Sequence, residues 1–338
     1  MKKNISLLIA LVLLCAFILP SLVGCSAFDV YSEGDGALRV LCTTFAPFDF
    51  ARVVGGDRVT VSLLQDSGAD LHNYTPTAAT LSALSDADIF IFVGGPSDHA
   101  WIDKTLDAAG NDSLSTLCLI DSVTPIVAEM ENDWSDHSEE SHGEHSHEHS
   151  HDHDGHEHTA DEHIWTSVKN AALTVEAIRD IFIQKDPEGK EAYEKNAAEY
   201  ISELNELDRQ FSELATALED KPLLFADRFP FIYLLHDYRI PYMAAFSGCS
   251  TEVNAGFETQ IDLINTVKEK NLDFIVTIEG GDKHLAEAIA NETSCRIITL
   301  DSLQSVSRND IKNGKTYLNT MKKNLNALRE VVYGTDKS

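Results

Sequence analysis

The sequence predicts an α/β protein of two parallel-sheet lobes joined by one long linking helix. Three observations predict it. Short runs rich in Val, Ile and Leu recur through both halves of the chain, as strands buried on both faces do. Stretches with apolar residues three and four apart lie between those runs, which supplies the crossover helices that parallel strands require. One amphipathic stretch between the two halves is far longer than the others. About 310 residues beyond the N-terminal apolar segment also exceed what one small core needs, which favours two lobes.

The chain opens with Lys2 and Lys3, an apolar run from Ile5 to Leu19, and Leu22-Val23-Gly24-Cys25. This predicts a lipoprotein signal peptide over 1–24, cut before Cys25 so that its thiol carries diacylglycerol and anchors the rest to a membrane surface. An uncleaved transmembrane helix over 5–23 is the alternative. An N-terminal lobe over 25–166 follows, with strands at Ala37–Thr44, Val59–Leu64, Ile89–Val93 and Leu117–Ile120 and a helix at Thr77–Leu84. A helical segment over 167–220 starts near Ser167. Within it Tyr193, Ala197, Tyr200, Ile201, Leu204, Leu207, Phe211, Leu214 and Leu218 form a stripe from Pro187 to Glu219, with Asp186 as N-cap and Pro187 at the first helical position. Such a helix runs roughly 50 Å and crosses both lobes as a strut; a coiled-coil dimer is disfavoured because α/β lobes flank the stripe and can receive it, so a monomer is expected. The C-terminal lobe, 221–338, has strands at Pro222–Ala226, Pro241–Phe246, Phe274–Ile278 and Arg296–Leu300, and helices at Phe257–Lys268 and Lys283–Glu292.

Charge narrows the function. The net charge is −29, and loss of Lys2 and Lys3 with the signal makes the remainder more negative still. Such a polyanion excludes nucleic acid as a partner and concentrates cations. Cys42, Cys118, Cys249 and Cys295 then lie in an oxidising compartment, and their spacing matches no zinc ribbon or redox pair. Between His137 and His158 stand nine histidines with no apolar residue among them: His137, His142, His145, His147, His149, His151, His153, His156 and His158. A segment of this composition cannot bury surface, so it is expected as a solvated loop over 137–158. Imidazole and carboxylate in alternation suit borderline divalent metals, which predicts auxiliary metal capture.

Two loops carry the sharper signal. One is Gln65-Asp66-Ser67-Gly68-Ala69-Asp70-Leu71-His72-Asn73-Tyr74-Thr75-Pro76-Thr77; the other is Asp161-Glu162-His163-Ile164-Trp165-Thr166-Ser167, just past the His tract. Together they resemble two signatures of the zinc- and manganese-binding solute-binding lipoproteins of ABC importers. Gly68, Asp70, His72, Tyr74, Pro76 and Thr77 match the first, with Leu71 where that family carries proline; Asp161, His163 and Trp165 match the second. The likeness extends to Ala87-Asp88, Gly94-Gly95 with Trp101, Asp186-Pro187 with Tyr193 and Asn196, and Leu300-Asp301.

The resemblance implies a helical-backbone metal receptor with His72 and His163 as ligands in an interlobe cleft. At the family's third ligand position stands Arg228, in Ala226-Asp227-Arg228-Phe229-Pro230-Phe231-Ile232-Tyr233. A guanidinium keeps its proton and ligates no metal. Glu279 and Asp301, each at a strand end, are the replacements expected; Asp227 and Cys249 are further candidates, and helix capping is the bland role for any such carboxylate. His99, His236 and His284 are expected in surface or packing roles.

The function expected is an extracytoplasmic receptor, anchored by lipid to the cell membrane, that captures Zn²⁺ and delivers it to an ABC permease without chemistry on its cargo. Mn²⁺ is the alternative cargo, since oxygen-rich sites favour it. A metal-binding adhesin or buffer, and a secreted zinc hydrolase, are the competing classes. Against the hydrolase, the chain has no nucleophile elbow, and no obvious general base accompanies the His pair.

Overall fold

The computed structural model describes residues 31–64, 72, 74–126, 160–246 and 257–334. The expectations for the leader, Cys25, Cys249 and the histidines from His137 to His158 lie outside the described residues.

Strands β1 (Tyr31–Glu33), β2 (Leu38–Cys42), β3 (Val59–Leu63), β4 (Ile89–Phe92) and β5 (Ser115–Cys118) form a sheet in the order β1-β3-β2-β4-β5. β1 runs antiparallel to β3 and the remaining pairs are parallel. Val40, Leu41 and Cys42 in β2 are all buried, as are Ile89, Phe90 and Ile91 in β4, so both faces of the sheet are covered and the strands read as continuous apolar runs. The second sheet, β6 (Leu223–Phe225), β7 (Tyr242–Ala244), β8 (Phe274–Ile278) and β9 (Arg296–Leu300), is parallel in the order β7-β6-β8-β9.

In the N-terminal half the helices are α1 (Phe45–Gly55), α2 (Ala78–Asp86), α3 (Pro96–His99) and α4 (Ile102–Ala109). Thr77 opens α2 with a reciprocal capping box to Thr80. Then come α5 (Val168–Lys185), capped by the Ser167 hydroxyl, and α6 (Lys190–Thr216). α7 (Ile232–Tyr238), α8 (Phe257–Glu269), α9 (His284–Thr293), α10 (Arg308–Lys312) and α11 (Tyr317–Tyr333) belong to the C-terminal half.

The strut predicted from Pro187 to Glu219 is α6, which at 27 residues spans about 40 Å. Its first turn, Pro187–Gly189, is 3₁₀ rather than α. The Asp186 carboxylate is drawn away from capping by Arg58 at 2.7 Å and by the Tyr193 hydroxyl, which donates to it at 2.7 Å. On the predicted stripe Tyr193, Ala197, Tyr200, Leu204, Leu207, Phe211 and Leu214 are buried. They belong to one apolar cluster that also takes Val40 and Ile91 from the first sheet, Phe225, Val276 and Leu300 from the second, and Leu325 and Leu328 from α11. The two sheets therefore share a core, with α5 and α6 along it.

Polar ties reinforce that junction. Buried Asp49 in α1 accepts from Arg52 at 2.7 Å and from the Tyr317 backbone N–H of α11 at 2.8 Å. Cys42, Cys118 and Cys295 are free thiols. Among the described residues, no helix is long and apolar enough to cross a membrane.

Candidate metal centre

The chain returns from the His-rich segment at Ala160, and Asp161 N donates to Ile126 O at 2.9 Å, so the two ends of that segment meet here. The returning segment is pinned from several sides. The Tyr233 hydroxyl donates to Asp161 O at 2.7 Å, Trp165 Nε1 donates to Ser302 O at 2.8 Å, and the Tyr317 hydroxyl donates to Trp165 O at 2.8 Å. His163 sits just before a short 3₁₀ turn, Ile164–Thr166, and is 2% exposed. Its backbone N–H donates to Asp161 Oδ1 at 2.8 Å, and the same oxygen lies 2.9 Å from its Nδ1.

His72 reaches the same place from the loop after β3, and the two imidazole centroids are 5.5 Å apart. Its Nδ1 stands 2.7 Å from Glu162 Oε1 and 3.0 Å from Ser97 Oγ. A carboxylate faces Nδ1 of each ring, and an ionised carboxylate only accepts. The proton of each neutral ring is therefore on Nδ1 and the lone pair on Nε2.

Both Nε2 atoms face one side chain. Gln304 Nε2 lies 2.6 Å from His163 Nε2 and 3.4 Å from His72 Nε2. The carboxamide thus places its two N–H bonds against two lone pairs. Gln304 is buried, on the turn that leaves β9, and the preceding Leu303 has φ 61°. A branched residue in the left-handed region is strained. The turn is held by Leu303 N donating to Asp301 Oδ1 at 2.9 Å and by the Ser302 hydroxyl against Gln304 Oε1 at 3.2 Å.

Glu162 is 3% exposed, and with His72 and His163 it forms a group whose candidate ligand atoms lie within 4.8 Å of one another. Burial pushes its carboxyl up, but the hydrogen bond from His72, the charge of His163 and the Ser97 hydroxyl outweigh burial and hold it down at about 2. It is ionised at any physiological pH.

Glu279 and Asp301 stand apart from that group, at Lys315. Lys315 Nζ is 2.6 Å from Asp301 Oδ2 and 3.4 Å from Glu279 Oε2. A polar cleft of about 720 Å³ opens beside these three residues and is also lined by Lys283, Asn324 and Lys323, with neither histidine on its wall. Asp227 accepts from the backbone N–H groups of Arg228 and Ile278. His99, His236 and His284 are exposed, as expected. The roles of Glu162 and Gln304 are what the sequence alone did not suggest. Glu162 lay beside a signature histidine, and Gln304 three residues past a strand-end carboxylate.

Known proteins are similar along almost the whole chain. The zinc-binding lipoprotein AdcA of Streptococcus pneumoniae is 31% identical over 330 residues, which is 97% of this chain and 61% of that protein; the chain thus spans about three-fifths of that relative. The high-affinity zinc uptake system protein ZnuA of Bacillus subtilis is 28% identical over 320 residues, covering 94% of this chain and 95% of the other. The crystal structure of the Zn(II)-bound ZnuA-like domain of Streptococcus pneumoniae AdcA superposes with a TM-score of 0.69 at 27% identity, over 88% of this chain and 99% of that one. The family model for the periplasmic component A of the zinc-uptake complex matches residues 40–331, from within β2 to the last turn of α11. The two parallel sheets, the long α6 and the paired histidines accordingly make this chain a member of that zinc-uptake component A family.

Proposed function

We propose that this protein is the extracytoplasmic receptor of a zinc importer, binding Zn²⁺ between its lobes and passing it to an ABC permease. One observation carries the reading: two imidazoles from separate loops have their Nδ1 atoms held by carboxylates and their Nε2 atoms turned to a single point. That is how zinc-binding histidines are prepared. The third donor is the carboxamide of Gln304, whose oxygen takes the place of its nitrogen when the terminal torsion turns by half a revolution. Two neutral nitrogens in the first shell favour zinc over manganese. Membership of the family and the zinc-binding relatives support the same reading.

The cargo undergoes no reaction, so binding and release are the whole task. With α6 buried along both lobes, release requires rearrangement of the His72 loop and the turn at Gln304 rather than a wide hinge. Segments 25–166, 167–220 and 221–338 act as receiving lobe, strut and second lobe. Cys25 carries the lipid, and Cys25→Ala should release the protein from the membrane fraction.

The deciding experiment measures zinc affinity of the full chain by competition with a chelator too strong for the His tract to oppose. His72→Ala combined with His163→Ala should lose tight binding at least a hundredfold while circular dichroism stays unchanged. Wild-type affinity in that double variant would sink the assignment.

A further inference from the structure

Glu162 is enclosed on every side. Ser97 N donates to its Oε2 at 3.0 Å, the Ser97 hydroxyl donates to Oε1 at 2.6 Å, and His72 Nδ1 stands 2.7 Å from Oε1. Ser97 is on α3, and a glycine precedes that helix because a Cβ on Gly95 would fall 2.1 Å from Glu162 Cβ. The pocket for this carboxylate is therefore built from α3 and the returning segment together, and both oxygens are already committed to donors. A carboxylate so occupied holds a side chain in place. It has little left to offer a cation.

We propose that Glu162 is a positioning residue of the metal site: it fixes His72 in the Nδ1–H tautomer, so that the Nε2 lone pair points to the cation. Asp161 does the same for His163. Two consecutive residues of one segment thus orient two ligands that come from different loops. The inference rests on the reading of His72 and His163 as ligands, and it adds a residue that the two loop signatures do not contain.

The substitution that separates this role from packing is Glu162→Gln. Ser97 N–H can only donate, so the new amide must keep its oxygen there. Its NH₂ then falls at the Oε1 position, facing the Ser97 hydroxyl and His72 Nδ1. An NH₂ at that point donates to Nδ1 and drives the ring proton to Nε2, where zinc must bind. Carboxylates behind metal-binding imidazoles are worth about 10- to 100-fold in metal affinity.

The experiment uses the full chain with zinc and a competing chelator, together with ¹⁵N NMR of the metal-free imidazoles assigned through His72→Ala and His163→Ala. Glu162→Gln should bind zinc about 10- to 100-fold more weakly, with His72 protonated on Nε2, His163 unchanged and the circular dichroism of the wild type. Glu162→Asp, which keeps an acceptor, should recover most of the affinity. Wild-type affinity in Glu162→Gln overturns the proposal. So does weak binding with His72 still protonated on Nδ1, since Glu162 would then be a donor to the cation. If zinc binding survives loss of both histidines, the site assignment itself falls, and that result is distinct from the other two.

Discussion

Gln304 and His163 meet end to end, the carboxamide nitrogen of one 2.6 Å from the Nε2 lone pair of the other, although 141 positions separate them in the chain. The contact brings the turn after β9 onto the segment that carries His163, and so joins the C-terminal lobe to the N-terminal one at the imidazole itself. If His163 ligates zinc as proposed, the metal has to displace this amide nitrogen, since a zinc about 2.0–2.1 Å from Nε2 would overlap a nitrogen at 2.6 Å.

Gln304→Ala removes both the internal hydrogen bonds and the oxygen donor. We expect about tenfold weaker zinc binding in chelator competition, because water replaces an oxygen tethered beside the site. Gln304→Glu supplies a charged oxygen in nearly the same volume and should bind more tightly than wild type. Alanine binding more tightly than glutamine would mean that the side chain only competes with zinc.

Asp98 gives a pH-dependent stability prediction. Its Oδ2 accepts from Gly94 N at 2.9 Å, while buried Oδ1 has no hydrogen-bond partner among the described residues. Burial pushes its carboxyl up to about 6, above the usual carboxylate range. A folded pKa above the unfolded one means that the native state binds the proton more tightly. The penalty is absent below about pH 4, grows between pH 4 and 6, and is complete above it. Asp98→Asn should stabilise the protein by about 1–2 kcal/mol at pH 7 and not at pH 4. Denaturant unfolding at the two pH values checks this, and equal effects at both would contradict it.

Lys315 is the cation for two carboxylates, with 13% of its side chain exposed and Asp301 at 16%. Replacing it with Met strands a largely buried carboxylate, at a cost of about 2–3 kcal/mol. Zinc affinity should stay within about twofold in Lys315→Met, Asp301→Asn and Glu279→Gln. A large loss in either carboxylate variant would bring that residue back as a zinc ligand.

The His tract should hold weak, numerous and rapidly exchanging sites, because a solvated segment loses conformational entropy each time it wraps a metal. Deleting 137–158 should lower zinc stoichiometry at pH 7.5 and leave the tightest site nearly unchanged. Imidazoles with a pKa of about 6.5 protonate as pH falls from about 7.5 to 5.5, so the extra zinc of the intact chain should disappear over that interval. Equal stoichiometry with and without the tract at pH 7.5 would refute the role.

Where a side chain's environment repeats locally, the sequence was enough. β8 has the predicted bounds because every residue of it is buried, β9 has them with Ile298 and Leu300 buried, and α6 was legible from spacing alone. β1 was missed: Tyr31-Ser32-Glu33 is a three-residue antiparallel edge with little apolar signal. α11 was also missed, although Leu318, Met321, Leu325 and Leu328 repeat at helical spacing and are buried. The pairing of His72 with His163 was readable from motif likeness. Glu162 with Ser97, 65 positions away, and Gln304 with His163 were not, since no local pattern encodes which polar side chain will meet a given ring across a fold.

The cluster that runs from Val40 through Tyr200 and Phe225 to Leu328 makes the molecule indivisible. Lobes that share one core cannot melt separately, because each would leave the other's apolar face in water. Heating the metal-free protein should give a single calorimetric transition, with equal van't Hoff and calorimetric enthalpies. Neither the half that holds β1–β5 nor the half that holds β6–β9 should survive excision, and a cut within α6 should inactivate both at once.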